Sequence, residues 1–158
     1  MQLEYFLMLD HVDEIDISER TIKITSTVPE DSTVFEGHFP GMPLVPGVLL
    51  IETMAQSAGL LYIAISDFKL MPVLMSVDKA KIRQFVEPNA VLEVSAQIEH
   101  DGSGFFVAKT SIKSDGKRVC DAQLKLKTLQ FDELPFKESI HEKSERIGLF
   151  DALKAQSN

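Results

Sequence analysis

From Gly47 to about Ser66 the chain has a helical pattern and is apolar on nearly every side. A surface helix carries one apolar stripe, whereas a helix apolar all round must be enclosed by other elements. That requirement constrains the rest of the fold, because the remaining residues must wrap this helix. They read as wrapping material. Residues 20–28 alternate with β-branched side chains and predict a strand. Residues 71–86, 91–100, 105–114 and 118–130 predict four more. Turn signals separate them: Glu87-Pro88-Asn89, Asp101-Gly102-Ser103-Gly104 and Asp115-Gly116. An Asp-Gly pair between two alternating runs is a strong hairpin signal. One strand before the helix and four after it predict an α+β domain, a single curved antiparallel sheet around one buried helix. A sheet that covers only one helix leaves edges to pair, which favours a dimer.

The ends of the chain carry weaker patterns. Residues 1–19 mix a short apolar run (5–9) with acidic turn residues. Residues 29–46 are rich in Gly and Pro and predict an ordered loop. Residues 131–158 are polar with scattered apolar positions, and predict a loop and a short C-terminal helix. The reading therefore divides the chain into a domain over 1–130 and an extension over 131–158, packed on the same domain. A length of 158 residues favours one compact domain, and 44% hydrophobic residues suffice for its core. The net charge of −8 argues against a general nucleic-acid binder. The single Cys120 excludes an internal disulfide framework and a multi-Cys metal site, and suits a reducing cytoplasm. The N-terminus lacks the basic region and long apolar core of a signal peptide. Residues 45–65 come closest to a membrane span, but contain Glu52, Gln56 and Ser57.

Glu52 is the main chemical signal. It is the only ionisable group in the window 48–55. A carboxylate in apolar surroundings is disfavoured when charged, which suits a general acid. The simpler reading is an exposed helix-start Glu stabilised by the helix dipole. Apolar neighbours on every side weigh against it. Gln56, one turn later on the same face, is placed to orient the carboxylate. His38 lies fourteen residues before Glu52 in a Gly/Pro-stiffened run. A rigid loop is a sensible holder for a base, although a turn or packing role is the commoner use of a lone loop histidine. Gly47 opens the helix, where its N–H is one of the unpaired donors able to polarise a carbonyl. A glycine needed only for the turn is an equal reading. Lys79, Lys81 and Arg83 alternate along a predicted strand and so share one face. They form a candidate dock for an acidic partner, against the commoner reading of a solvated strand face. His11, His100 and His141 have no metal-site spacing. Cys120 reads as a small core residue.

The run Gly37-His38-Phe39-Pro40-Gly41-Met42-Pro43-Leu44-Val45-Pro46-Gly47-Val48-Leu49-Leu50-Ile51-Glu52-Thr53-Met54-Ala55-Gln56 closely resembles the signature of the FabZ-type 3-hydroxyacyl-acyl-carrier-protein dehydratases. Val77-Asp78-Lys79-Ala80-Lys81-Ile82-Arg83 resembles a basic strand of the same family, and Tyr5 to Val12 its N-terminal segment. The resemblance implies a hot-dog fold. It implies a homodimer, with trimers of dimers in many members, whose sites pair His38 of one chain with Glu52 of the other. The implied substrate is a (3R)-3-hydroxyacyl chain on the phosphopantetheine arm of acyl carrier protein, converted to the trans-2-enoyl thioester and water. The implied setting is fatty acid biosynthesis, or lipid A-type synthesis for long acyl chains. No metal or cofactor is implied. The family assigns His38 as base, Glu52 as the acid at the departing hydroxyl, Gly47 as oxyanion donor, Gln56 as the orienting group and the Leu44 carbonyl as the partner that fixes the His38 tautomer. The basic stripe becomes the carrier-protein dock. A related branch that also isomerises carries Asp at the helix position, so Glu52 favours dehydration alone. Ile82 replaces a commoner aromatic, Gln84-Phe85 replaces a more basic pair, and the tail from Phe131 is additional. A hot-dog thioesterase and a non-catalytic acyl-binding subunit are the competing readings.

Overall fold

The computed structural model describes residues 1–156. Its sheet has six antiparallel strands in the order β1-β2-β4-β5-β6-β3. These are β1 (His11–Asp16), β2 (Thr21–Thr27), β3 (Leu70–Ile82), β4 (Val91–Gly102), β5 (Phe105–Ser114) and β6 (Lys117–Gln130). Four helices accompany them: α1 (Thr33–Gly37), α2 (Gly47–Ile65), α3 (Lys137–Arg146) and α4 (Leu149–Gln156). The long α2 packs against the sheet as its apolar pattern requires. Leu50, Met54, Ala58 and Leu61 lie almost wholly out of solvent against Ile24, Leu92, Ala108 and Leu124. The polar residues buried within α2 are satisfied internally. Thr53 Oγ1 donates to the Leu49 carbonyl at 2.7 Å, and Ser57 Oγ to the Thr53 carbonyl at 2.9 Å. Such back-bonding removes the penalty of burying a hydroxyl. α2 is long and apolar enough to cross a bilayer, but most of it is buried inside its own sheet, as befits a core helix.

The predicted 115–116 turn joins β5 to β6, with Asp115 at φ 50 and Gly116 at φ 72. Two positive φ values are the type I′ geometry that an Asp-Gly hairpin provides.

Four expectations change. The N-terminal segment contains a strand, β1, where only apolar and acidic residues were apparent. A bulge between Val12 and Glu14 brings Val12 and Ile15 to the same buried face three residues apart, which defeats a period-two reading. The loop before α2 contains a short helix, α1, capped by the Ser32 hydroxyl accepting from the Val34 N–H. Strand β3 ends at Ile82 rather than at residue 86, because the following residues turn to meet the loop before α2. There the Val45 N–H donates to the Val86 carbonyl at 2.8 Å. The tail forms two helices, broken at Gly148. That residue has φ +84, and an added Cβ would sit 3.2 Å from the His11 ring.

The tail is firmly seated. Phe131 and Leu149 are fully buried, and Phe68, His141 and Phe150 cluster with ring centroids 4.9–5.7 Å apart. The Ile147 carbonyl accepts from Val12 N–H at 2.8 Å, and Gln156 Oε1 from Ile17 N–H at 2.9 Å. α4 thereby covers the β1 edge of the sheet. The opposite edge, β3, has no strand beside it among the described residues.

Candidate active site

His38 follows α1 at its C-cap. Its Nδ1 lies 3.0 Å from the Leu44 carbonyl oxygen. A carbonyl only accepts, so Nδ1 carries the proton and Nε2 presents the basic lone pair. The backbone returns the bond, with Leu44 N–H donating to the His38 carbonyl at 2.9 Å. Between them, Phe39 and Met42 exchange two backbone hydrogen bonds of 2.9 Å each. Gly41 in this turn has φ +76, a conformation that glycine adopts without strain. The Phe39 ring stacks on the imidazole at 4.0 Å between centroids. The His38–Phe39 peptide is cis.

Glu52 lies on the second turn of α2. It is half-buried rather than enclosed, which corrects the expectation of apolar contact on every side. One flank of the helix opens onto a cavity of about 520 Å³, and Glu52 lines it. Gln56 Nε2 donates to Glu52 Oε1 at 2.9 Å and to the Phe6 carbonyl at 2.8 Å. Gln56 Oε1 accepts a longer bond, 3.4 Å, from the Met8 N–H. The amide is therefore clamped between the carboxylate and the N-terminal segment. The sequence pattern pointed to Gln56 but not to Phe6 and Met8, whose part is played by backbone atoms. Within the apolar run at residues 5–9 only Met8 is fully buried, and the Tyr5 and Phe6 side chains are exposed. His38 does not line the Glu52 cavity.

Gly47 is the first residue of α2, and no protein acceptor meets its N–H among the described residues. A Cβ at this position would collide with Ile82 Cδ1. The glycine thus has a packing reason as well as a free donor. The basic stripe is less regular than the sequence implies. Asp78 pairs with Gln123 and Lys81 with Asp121, so three steps along β3 match two along β6. Lys79 sits in this bulge at φ 52, out of alternation with Lys81. Arg83 Nε donates to Asp121 Oδ2 at 2.7 Å. That hydrogen bond holds the Asp121 carboxyl below its ordinary range and raises the Arg83 guanidinium further. Cys120, beside Asp121, is fully buried, and burial pushes its thiol up to about 11. No described cluster of His, Cys, Asp and Glu is arranged to hold a metal ion.

Comparison with solved structures places the architecture. A hypothetical thioesterase from Streptococcus pneumoniae TIGR4, solved with coenzyme A, superposes with a TM-score of 0.60 at 16% identity, covering 77% of this chain and 86% of that one. The dehydratase heterocomplex ApeI:P from Xenorhabdus doucetiae gives 0.62 at 15% identity, covering 81% and 86%. Likeness at these identities concerns the fold alone. One antiparallel sheet wrapped on one long helix makes this a hot-dog protein. Sequence comparison goes further. The FabA-like domain model matches residues 1–123. The 3-hydroxyacyl-acyl-carrier-protein dehydratase FabZ of Enterococcus faecalis is 38% identical over 121 residues, covering 75% of this chain and 84% of that protein. The FabZ of Lactococcus lactis is 37% identical over 118 residues, covering 74% and 77%. The chain belongs to the FabA-like family, in its FabZ-type dehydratase branch.

Proposed function

We propose that this chain removes water from (3R)-3-hydroxyacyl thioesters held on acyl carrier protein, giving trans-2-enoyl thioesters for fatty acid biosynthesis in the cytoplasm. One observation carries the mechanism. A histidine with a fixed Nε2 lone pair and a carboxylate clamped by an amide stand at the two ends of one short segment, and the carboxylate lines a largely apolar cavity. The proton at C2 of a thioester is weakly acidic, so the site needs a base and a donor to the carbonyl oxygen. His38 Nε2 takes the C2 proton. The Gly47 N–H donates to the thioester oxygen as enolate character develops. Glu52, oriented by Gln56, protonates the 3-hydroxyl as the C3–O bond breaks. The C2–C3 double bond forms and water leaves. The base ends protonated and the acid ionised, and a proton exchange with solvent resets both.

The site is completed by a second copy of the chain, with His38 of one protomer facing Glu52 of the other. The sheet supports this arrangement. Its β1 edge is closed by α4, while the β3 edge has no strand beside it among the described residues and exposes Val73, Met75 and Val77. Phe39, Met42 and Val48 around the His38 loop are also exposed. An apolar open edge is a template for pairing. Trimers of such dimers are the further assembly. Lys79, Lys81 and Arg83 receive the acidic carrier protein. Residues 1–130 carry the chemistry, and the extension over 131–158 packs on them through its described part, residues 131–156. Mass spectrometry of 3-hydroxyacyl carrier protein incubated with the chain tests the reaction. Loss of one water is the expected result. Release of free acid would mean a thioesterase, and no change over several acyl lengths would mean a binding subunit.

A further inference from the structure

The cavity beside Glu52 has a shape that the reaction alone does not explain. Its floor is one stripe of α2, running through Glu52, Ala55, Gln56, Gly59, Leu60 and Ile63. At 1.5 Å per residue this stripe extends about 16 Å beyond Glu52. Past Gln56 it carries no charge. Gly59 leaves the middle open, and an added Cβ there would make only ordinary contact with Pro72 at 3.9 Å. α3 contributes a wall through Ile140, Lys143, Ser144 and Arg146, and its C-cap residue Ile147 adds to it. Ile140, Lys143, Ser144 and Ile147 recur every three or four residues, so most of this wall is one face of the helix. Ser144 is buried and spends its hydroxyl on the Ile140 carbonyl at 2.7 Å, so beside Ile140 and Ile147 the wall is apolar, while Lys143 and Arg146 add charge to it. Helix α3 carries three acidic and three basic residues, so it has no net charge to attract an acidic carrier. It also lies beyond the 1–123 match to the family model.

We propose that α3 is the chain-length gauge of this enzyme. The acyl tail lies along the α2 stripe and stops against Ile140 and Ile147, so the extension sets the longest tail accepted. The inference rests on the dehydratase reading, since it takes the reacting carbons to sit at Glu52. Two variants and one label test it. Ile140→Trp shortens the cavity, and kcat/KM should fall at least tenfold for 3-hydroxymyristoyl carrier protein while staying within twofold for the 3-hydroxybutyryl form. Ile140→Ala should raise the long-to-short ratio. A ratio unmoved in both variants, with unchanged melting temperatures, would overturn the proposal. The label separates this from the reaction itself. A myristoyl pantetheine thioester with a diazirine at its terminal carbon, irradiated with the unmodified enzyme, should attach to residues 137–147. Attachment elsewhere would overturn the gauge even in an active enzyme, and attachment to α3 would uphold it even if no water were lost.

Discussion

The two halves of the proposed site are positioned by opposite means. His38 is held by its own neighbourhood. Its tautomer comes from a carbonyl six residues away, and the turn between them is closed by reciprocal backbone bonds. Glu52 is held by distant chain. Gln56 orients it from the next helical turn, but Gln56 is itself clamped by backbone atoms of Phe6 and Met8, some fifty residues earlier. The difference matters for how each half fails. A local clamp survives disturbance elsewhere, whereas a remote one transmits it. His38 does not line the cavity that Glu52 occupies, which fits the proposal that a second copy of the chain brings the two together.

The largest predicted effect breaks each half outright. His38→Ala and Glu52→Gln should each lower turnover by about 10²–10⁴-fold with the fold intact. The sharper test mixes them. If each site takes one half from each subunit, a heterodimer of the two variants holds one site with both groups and one with neither. Random reassortment should then restore roughly a quarter of wild-type activity. Activity that stays at the single-variant level after verified exchange would place both halves in one chain.

Much of this is legible in the sequence. Gly47 to Ser66 required enclosure, and the strands needed for it alternate visibly. His38, Glu52 and Gln56 stand out by residue type against Gly/Pro and apolar surroundings. What is not legible depends on backbone events that side-chain periodicity does not record. The β1 bulge placed Val12 and Ile15 out of step, and the bulge at Lys79 broke the basic stripe. Phe6 and Met8 act through a carbonyl and an N–H, which every residue has. That Glu52 faces a cavity was equally hidden, because the opposite wall comes from β3 and α3, far away in sequence.

Gln56→Ala tests the remote clamp. It removes the donor to Glu52 and to the Phe6 carbonyl together. Loss of orientation at a reacting group costs up to about 10²-fold, so kcat should fall by about that much with KM changing less than threefold. Amide exchange should quicken at residues 6–8 while the His38–Leu44 turn keeps its protection. Equal loosening of both segments would show that the two halves are not independently held.

The smallest effect concerns the support of the His38 half. The segment after β3 reaches Val86, whose carbonyl anchors Val45. Arg83 in this segment is pinned to Asp121 on β6. Asp121 titrates below its ordinary value of 3.8, chiefly because Arg83 donates to its ionised form. A lowered carboxyl pKa means that the unfolded chain binds the proton more readily than the folded one. The pair's contribution to stability is therefore present in full above the unfolded value and disappears as pH falls through the folded value. Asp121→Asn should lower the melting temperature slightly at pH 7, and the gap from wild type should close below pH 3.8. The same variant releases Arg83 toward a carrier. If Arg83 docks acyl carrier protein, KM should fall at low salt and recover at high salt. A KM indifferent to both changes would leave Arg83 as a brace for the His38 half alone.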